Sequence, residues 1–211
     1  MGERKFRTSS KSQTGHSRKM TTPGVSTLTA LLQSASTGNA SLVRCPAGTL
    51  ERFRSLNQAE YIILFTPVVP HPPSTELQRD MDPFEPLGRS LSKRHRRIRH
   101  VPYVPSRGIT PTHIDFLSSA GSVVVVVCTT ENVTVQSTLG YDDQTKFARD
   151  ITRKVQEDKT LTSVSLLLLL ITNGAGSQVH EDGVREFPAL ITCSSYTPAA
   201  LEDAARVIFG V

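Results

Sequence analysis

The chain has 211 residues, 37% of them hydrophobic and 20% charged, as expected for one globular domain with its own core. No stretch approaches the ~20 apolar residues of a membrane helix, since the most apolar run, residues 164–171, has under half that length. The net charge of +5 resides in residues 1–20, so the remainder is neutral and the basic pI is poor grounds for nucleic-acid binding by the folded part.

The amino-terminal segment lacks the apolar region of a secretory signal, so we expect a cytoplasmic protein with reduced cysteines. Residues 1–22 are basic and poor in apolar residues, which predicts a disordered tail, with an organelle transit peptide as the alternative. Residues 23–211 are predicted to form a single α/β domain. The three cysteines, Cys45, Cys128 and Cys193, have no CxxC spacing, and we predict that they are structural thiols.

Helical and strand patterns alternate along this domain. Apolar residues at helical spacing predict helices, and continuous apolar runs predict strands that are covered on both faces. In chain order we predict a helix over 25–32, a strand over 41–45, a helix from Thr49, a strand over 61–66, a helix over 83–93, a strand over 97–104, a helix from Thr110-Pro111, a strand over 122–128, a helix over 142–157, strands over 163–171 and 188–193, and a helix from Thr197-Pro198.

This alternation implies parallel strands joined by right-handed crossovers. We therefore predict a doubly wound, mainly parallel α/β sheet of about five or six strands with helices on both faces, which is a flavodoxin-like arrangement. Pro102 has no N–H to donate, so the strand over 97–104 is expected at a sheet edge or to end there.

Ligands of such sheets bind at the carboxyl ends of the strands. The residues after the predicted strands contain no GxGxxG or P-loop pattern, and the glycine-rich residues 173–177 lack the P-loop lysine and lead into no convincing helix. The sequence has no GxSxG elbow, HExxH motif or paired Cys/His spacing. We therefore predict no catalytic residue, no metal ligand and no cofactor.

One segment is a candidate crevice or anion-binding site. Arg107, Thr110, Thr112 and His113 place a cation, two hydroxyls and an imidazole beside a predicted helix N-terminus, where the helix dipole favours anions. In the alternative interpretation Thr110 only caps the helix, Arg107 is solvated and His113 lies in the first turn. The basic residues 93–100 suit nucleic acid or anionic lipid, but cations also suit a helix C-terminus, and specific nucleic-acid binding is not expected.

Residues 99–113 with 120–128, and residues 194–210, resemble the C-terminal α/β domain of glycoside hydrolase family 3, particularly its β-N-acetylhexosaminidase-like members. There the last strand ends in a Tyr-containing turn before a helix that closes with Phe-Gly, as Tyr196 and Phe209-Gly210 are arranged here. The resemblance spans roughly residues 40–211. It implies packing on a (β/α)₈ barrel that supplies the nucleophilic Asp and the acid/base His and Asp of the hexosaminidase-like branch.

A barrel takes ~200 or more residues, and this sequence encodes none and lacks the Lys-His-Phe-Pro-Gly-His type of barrel motif. No family catalytic residue can be carried over, so whether the chain is an enzyme stays open. The resemblance implies a detached or truncated accessory domain that binds a carbohydrate ligand or a barrel or enzyme partner, with no membrane role. The rival hypothesis is a flavodoxin-like small-molecule or nucleotide-binding module. A third is a nucleic-acid-associated protein that uses the tail and residues 93–99.

Overall fold

A computed structural model describes Met1 and residues 36–73, 80–135, 140–173 and 177–210. The predicted tail over 1–22 and the predicted helix over 25–32 lie outside the described residues. No helix in the described ranges is both long enough and apolar enough to cross a membrane.

Six strands of four or more residues and one two-residue strand form a single sheet. The strands are β1 (Ser36–Thr37), β2 (Ala40–Arg44), β3 (Tyr61–Pro67), β4 (Ile98–Tyr103), β5 (Ala120–Cys128), β6 (Ser165–Ile171) and β7 (Leu190–Cys193). The helices are α1 (Thr49–Arg54), α2 (Glu85–Ser92), α3 (Pro111–Ser118), α4 (Glu131–Thr134), α5 (Tyr141–Glu157), α6 (Ser177–Asp182) and α7 (Pro198–Phe209), with 3₁₀ turns at Pro105–Arg107 and Lys159–Leu161.

The strand order across the sheet is β1-β2-β7-β6-β5-β3-β4. Strands β3 to β7 are parallel to one another, whereas β2 pairs antiparallel with β7 and β1 pairs antiparallel with β2. The predicted mainly parallel α/β sheet is therefore confirmed. The strand predicted over 41–45 corresponds to β2, but its antiparallel direction and the short partner strand β1 had not been indicated by the sequence pattern. Strand β4, which carries Pro102, forms the opposite edge, as predicted.

Helices cover both faces of the sheet. On one face α1, α2 and α7 bury Phe53, Leu87 and Leu201, and on the other α3 and α5 bury Leu117 and Phe147. The valines of β5 alternate between these two apolar layers and are fully buried in both. This double cover explains why β5 and β6 are apolar at nearly every position.

The three cysteines are free thiols, with Cys128 and Cys193 buried and Cys45 half-buried. Burial raises the pKa of the Cys128 thiol to about 12. A thiol of that kind is not a thiolate at neutral pH, so Cys128 is a packing residue, as the sequence predicts.

Candidate functional site

The order of the parallel strands reverses between β3 and β5, which is where doubly wound sheets admit ligands. Pairing between these strands ends with Phe65 opposite Val125, although β5 continues to Cys128. The next position of β3 that faces β5 is Pro67, which has no N–H to donate to the Val126 carbonyl. The two strands thus part at the switch point and leave backbone groups of β5 without strand partners.

Two side chains satisfy these groups. The Tyr103 hydroxyl donates to the Val126 carbonyl at 2.8 Å, and the Cys128 N–H donates to Gln144 Oε1 at 2.8 Å. Gln144 Nε2 in turn donates to the Cys128 carbonyl at 2.9 Å. The Tyr103 ring stacks on Phe147 with centroids 3.8 Å apart. On the α5 face of the sheet, the switch point is therefore filled by the protein's own side chains.

The opposite face has an open cavity of about 190 Å³ at the carboxyl ends of β5, β6 and β7, which we call the strand-end crevice. Its lining is mostly hydroxyl and amide groups from loops that follow three strands, with two prolines from the loop after β3. The lining residues are Pro72, Pro73, Thr130, Glu131, Asn132, Asn173, Ser195, Tyr196 and Thr197.

Hydrogen bonds hold the crevice lining in place. The Thr130 hydroxyl donates to Asn132 Oδ1 at 2.8 Å, and Asn132 Nδ2 donates to the Tyr196 hydroxyl at 2.5 Å. Tyr196 then donates to the Pro70 carbonyl at 3.0 Å, which ties the loop after β3 to the end of β7. Burial raises the pKa of the Tyr196 phenol, so the group stays neutral and remains a donor at physiological pH.

The lining of this crevice is polar but carries little charge. Glu131 is the only acid among its lining residues, whereas most glycosidases flank the scissile bond with two carboxyl groups. The remaining polar groups donate and accept hydrogen bonds without charge, as a hydroxyl-rich ligand requires. Since pockets for drug-sized ligands measure ~300–1,000 Å³, this crevice of about 190 Å³ suits a smaller group.

The structure brings two of the four predicted site residues together. The Thr110 N–H donates to His113 Nδ1 at 3.0 Å in a capping box, and His113 Nε2 lies 3.4 Å from the Pro102 carbonyl. His113 is 5% exposed and packs edge-on against Phe65 and Phe147. Both residues therefore fix the start of α3, as the alternative interpretation of the sequence proposed.

Arg107 and Thr112 are exposed and contribute no hydrogen bond to that capping box. Arg107 lines a shallow groove of about 410 Å³ against α5, facing Lys146, Arg153 and Lys154, whereas Thr112 does not line it. Asp150 partly neutralises the groove through ion pairs with Lys146 and Arg153. Anion binding at Arg107, Thr110, Thr112 and His113 stays a prediction.

The sequence also gave no indication of a polar cluster centred on His180. His180 Nδ1 lies 3.0 Å from the Thr129 hydroxyl and 3.1 Å from the Thr172 hydroxyl, and Tyr141 donates to the His180 carbonyl. Desolvation lowers the pKa of His180, so the ring is neutral at pH 7. The cluster rests on α6, where the sequence had predicted no convincing helix after the glycine-rich residues. In the described ranges, no group of three or more His, Cys, Asp or Glu side chains could hold a metal ion.

No family model matches the chain, and no curated protein sequence matches it. Solved structures do share its fold. A fungal multi-domain family 3 β-N-acetylglucosaminidase that contains a GCN5-related glucosamine N-acetyltransferase region aligns with 81% of this chain and 16% of its own, at 21% identity and a TM-score of 0.50. A family 3 β-N-acetylglucosaminidase from Paenibacillus aligns with 96% of this chain and 34% of its own, at 15% identity and a TM-score of 0.50.

At these identities the likeness shows the fold alone. The chain spans about a third or less of each of these proteins, so their activities do not transfer to it by alignment. Fold and crevice together define a mainly parallel α/β domain with a polar, weakly charged strand-end crevice. Domains of this fold form part of larger glycoside hydrolase family 3 chains.

Proposed function

We propose that this chain is an accessory domain of the kind that β-N-acetylhexosaminidase-like members of glycoside hydrolase family 3 carry at their carboxyl end, and that it hydrolyses no glycoside alone. The observation that carries the proposal is the strand-end crevice, which holds one carboxylate on a fold shared with parts of larger β-N-acetylglucosaminidases. We place the domain in the cytoplasm, in keeping with its three free thiols.

The proposed ligand of the crevice is a sugar ring or a similar hydroxyl-rich group. Asn132 donates to Tyr196, and Tyr196 donates to the Pro70 carbonyl, so the remaining donor and acceptor sites of both side chains are preorganised for hydroxyl groups. Asn173 accepts from the Glu131 N–H at 3.1 Å and adds an exposed amide at the rim. The proposed partner is a catalytic barrel domain, by analogy with the enzymes whose fold this chain shares.

Two measurements test this proposal. The isolated chain is incubated with aryl N-acetyl-glucosaminides, and robust turnover would contradict an accessory role. In parallel, thermal unfolding is followed with increasing N-acetylglucosamine, where saturation at one hundred times Kd stabilises by about 2.7 kcal/mol. Asn173→Ala should reduce this stabilisation, whereas the matched change Gln156→Ala on the exposed side of α5 should leave it intact.

A flavodoxin-like small-molecule or nucleotide-binding module is the second candidate. Strands β3 to β7 follow the order 2-1-3-4-5, which flavodoxin-like sheets share. Tyr103 and Gln144 occupy the switch point on one face, which leaves the strand-end crevice as the place for such a ligand. A thermal-shift panel of nucleotides separates the candidates, because stabilisation by nucleotides and not by sugars would favour this module.

A further inference from the structure

The turn after α2 and the start of β4 carry four arginines that the proposed function does not use. Arg94, Arg96, Arg97 and Arg99, which we call the arginine cluster, are all exposed. Within the described ranges, no ion pair is recorded for any of the four. Most exposed arginines elsewhere in the described ranges are neutralised by carboxylates, as in the pairs Arg89–Glu85, Arg149–Glu186, Arg185–Asp182 and Arg206–Asp203, although Arg54 and Arg107 are not. The cluster is therefore a local excess of positive charge on a domain that is neutral as a whole.

The backbone beneath the cluster is fixed. The buried His95 places Nε2 2.8 Å from the Glu60 carbonyl, and its N–H donates to the Leu91 carbonyl at 3.0 Å. The Arg97 carbonyl accepts from the Ile62 N–H at 2.9 Å. Because these contacts anchor the turn to α2 and β3, the guanidinium groups start from a defined surface and do not sit on a loose loop.

Two members of the cluster share one aromatic ring. The guanidinium carbons of Arg97 and Arg99 lie 5.2 Å and 5.1 Å from the centroid of Tyr61. The phenol oxygen of Tyr61 accepts from Arg97 at 3.1 Å. Two cations held on one ring repel each other, and an anion bound between them would offset that repulsion.

The arrangement fits a linear polyanion. Arg97 immediately precedes the edge strand β4 and Arg99 lies within it, about 6.6 Å further along an extended chain, while Arg94 and Arg96 add two exposed cations in the preceding turn. Insertion into a membrane surface would also require an exposed apolar face beside the cations, whereas the adjacent Ile98 packs against the core. A purely electrostatic contact with anionic lipid is the outcome that the vesicle measurement below detects. The planar guanidinium fork matches the oxygens of a phosphate.

We propose that the arginine cluster binds the phosphate backbone of single-stranded nucleic acid without reading its bases. The proposal uses only contacts between guanidinium groups and phosphates, and the rest of the domain is neutral, so selectivity for sequence is not part of it. This function is separate from the strand-end crevice, which lies at the carboxyl ends of the strands, whereas the cluster lies at the beginning of β4.

The test measures binding of the full chain to a fluorescent oligothymidylate longer than the ~16 nucleotides of known single-strand sites, as a function of salt. The variant Arg94→Gln/Arg96→Gln/Arg97→Gln/Arg99→Gln should lower the slope of log affinity against log salt by about 3, since each phosphate contact contributes about 0.7. The matched control, Arg89→Gln/Arg149→Gln/Arg185→Gln/Arg206→Gln, removes the same net charge from paired positions and should keep the slope.

Equal losses in the two variants would assign binding to net charge and overturn the proposal, as would an unchanged slope in the cluster variant or no binding by the unmodified chain at low salt. Binding to phosphatidylserine vesicles in place of oligonucleotide would also overturn it. If the glutamine variant unfolds, lysines at the same four positions keep the charge. They should then keep the slope while weakening affinity, because lysine lacks the bidentate fork. Equal affinity for mixed-sequence oligonucleotides is expected, and a strong base preference would contradict the proposal.

Discussion

Replacement of Gln144 by methionine tests the account of the switch point. Gln144 is fully buried, and its amide satisfies both the N–H and the carbonyl of Cys128 at 2.8 Å and 2.9 Å. Methionine fills a similar volume but forms neither bond, so two buried backbone groups lose their partners. Each unsatisfied group costs about 1–3 kcal/mol, which predicts a loss of about 2–4 kcal/mol after the gain from burying an apolar side chain.

Equilibrium unfolding in urea measures this loss as a change in the transition midpoint at constant slope. The matched control is Gln156→Met, the same chemical change at an exposed position of α5, which should alter the free energy of unfolding by less than about 0.5 kcal/mol. A Gln144 variant as stable as this control would refute the idea that side chains replace the backbone hydrogen bonds that β3 does not form with the end of β5.

Three further outcomes are expected. Gly183→Ala should destabilise by about 1–3 kcal/mol, because its Cβ would lie 2.1 Å from the Tyr141 hydroxyl oxygen, and combining it with Tyr141→Phe should recover part of that loss in a urea titration. Burial, the main cause, lowers the pKa values of His100 and His180 below their ordinary 6.5. The unfolded state therefore binds more protons than the folded state, so the free energy of unfolding should fall as the pH drops below about 6.5. The variant His100→Gln/His180→Gln should make the free energy of unfolding less dependent on pH between about pH 5 and 7.5. Arg107→Ala should weaken sulfate binding to the groove between Arg107 and α5, as measured by calorimetry. Thr112→Ala should not, because Thr112 is also exposed but lies outside the groove. Sulfate binding that survives Arg107→Ala would contradict a site in this groove.

Long periodic segments could be predicted closely from the sequence. The helix expected over 142–157 is Tyr141–Glu157, and the valine-rich strand expected over 122–128 is Ala120–Cys128. The Thr-Pro pairs also mark true helix starts, since α3 and α7 begin at Pro111 and Pro198. These signals are local, because one stretch of residues specifies both the periodicity and the cap.

The direction of β2 could not be predicted in this way. An apolar run has the same pattern whether its strand is parallel or antiparallel, and its partner β7 lies about 150 residues away. The buried role of Gln144 could not be predicted either. Its partners are backbone groups of Cys128, and a polar residue in α5 suggests a solvent-facing position. The strand-end crevice could be predicted only in part. The sequence indicates the edge of the sheet at which a ligand binds. It does not show that Asn132, Asn173 and Tyr196 lie together, because that depends on the order of three strands.

The antiparallel pairing of β2 with β7 also has a consequence for synthesis. Ala40 pairs with Cys193, and the turn before β2 is held by Asp203 of α7. At about 5–20 residues per second, the ribosome needs roughly 10–30 s to make the chain between these partners. During that interval β2 has no native neighbour on the β7 side, and its unpaired edge is open to other nascent chains. The sheet can therefore be completed only after β7 and α7 have been made, when the start of the described fold joins its end.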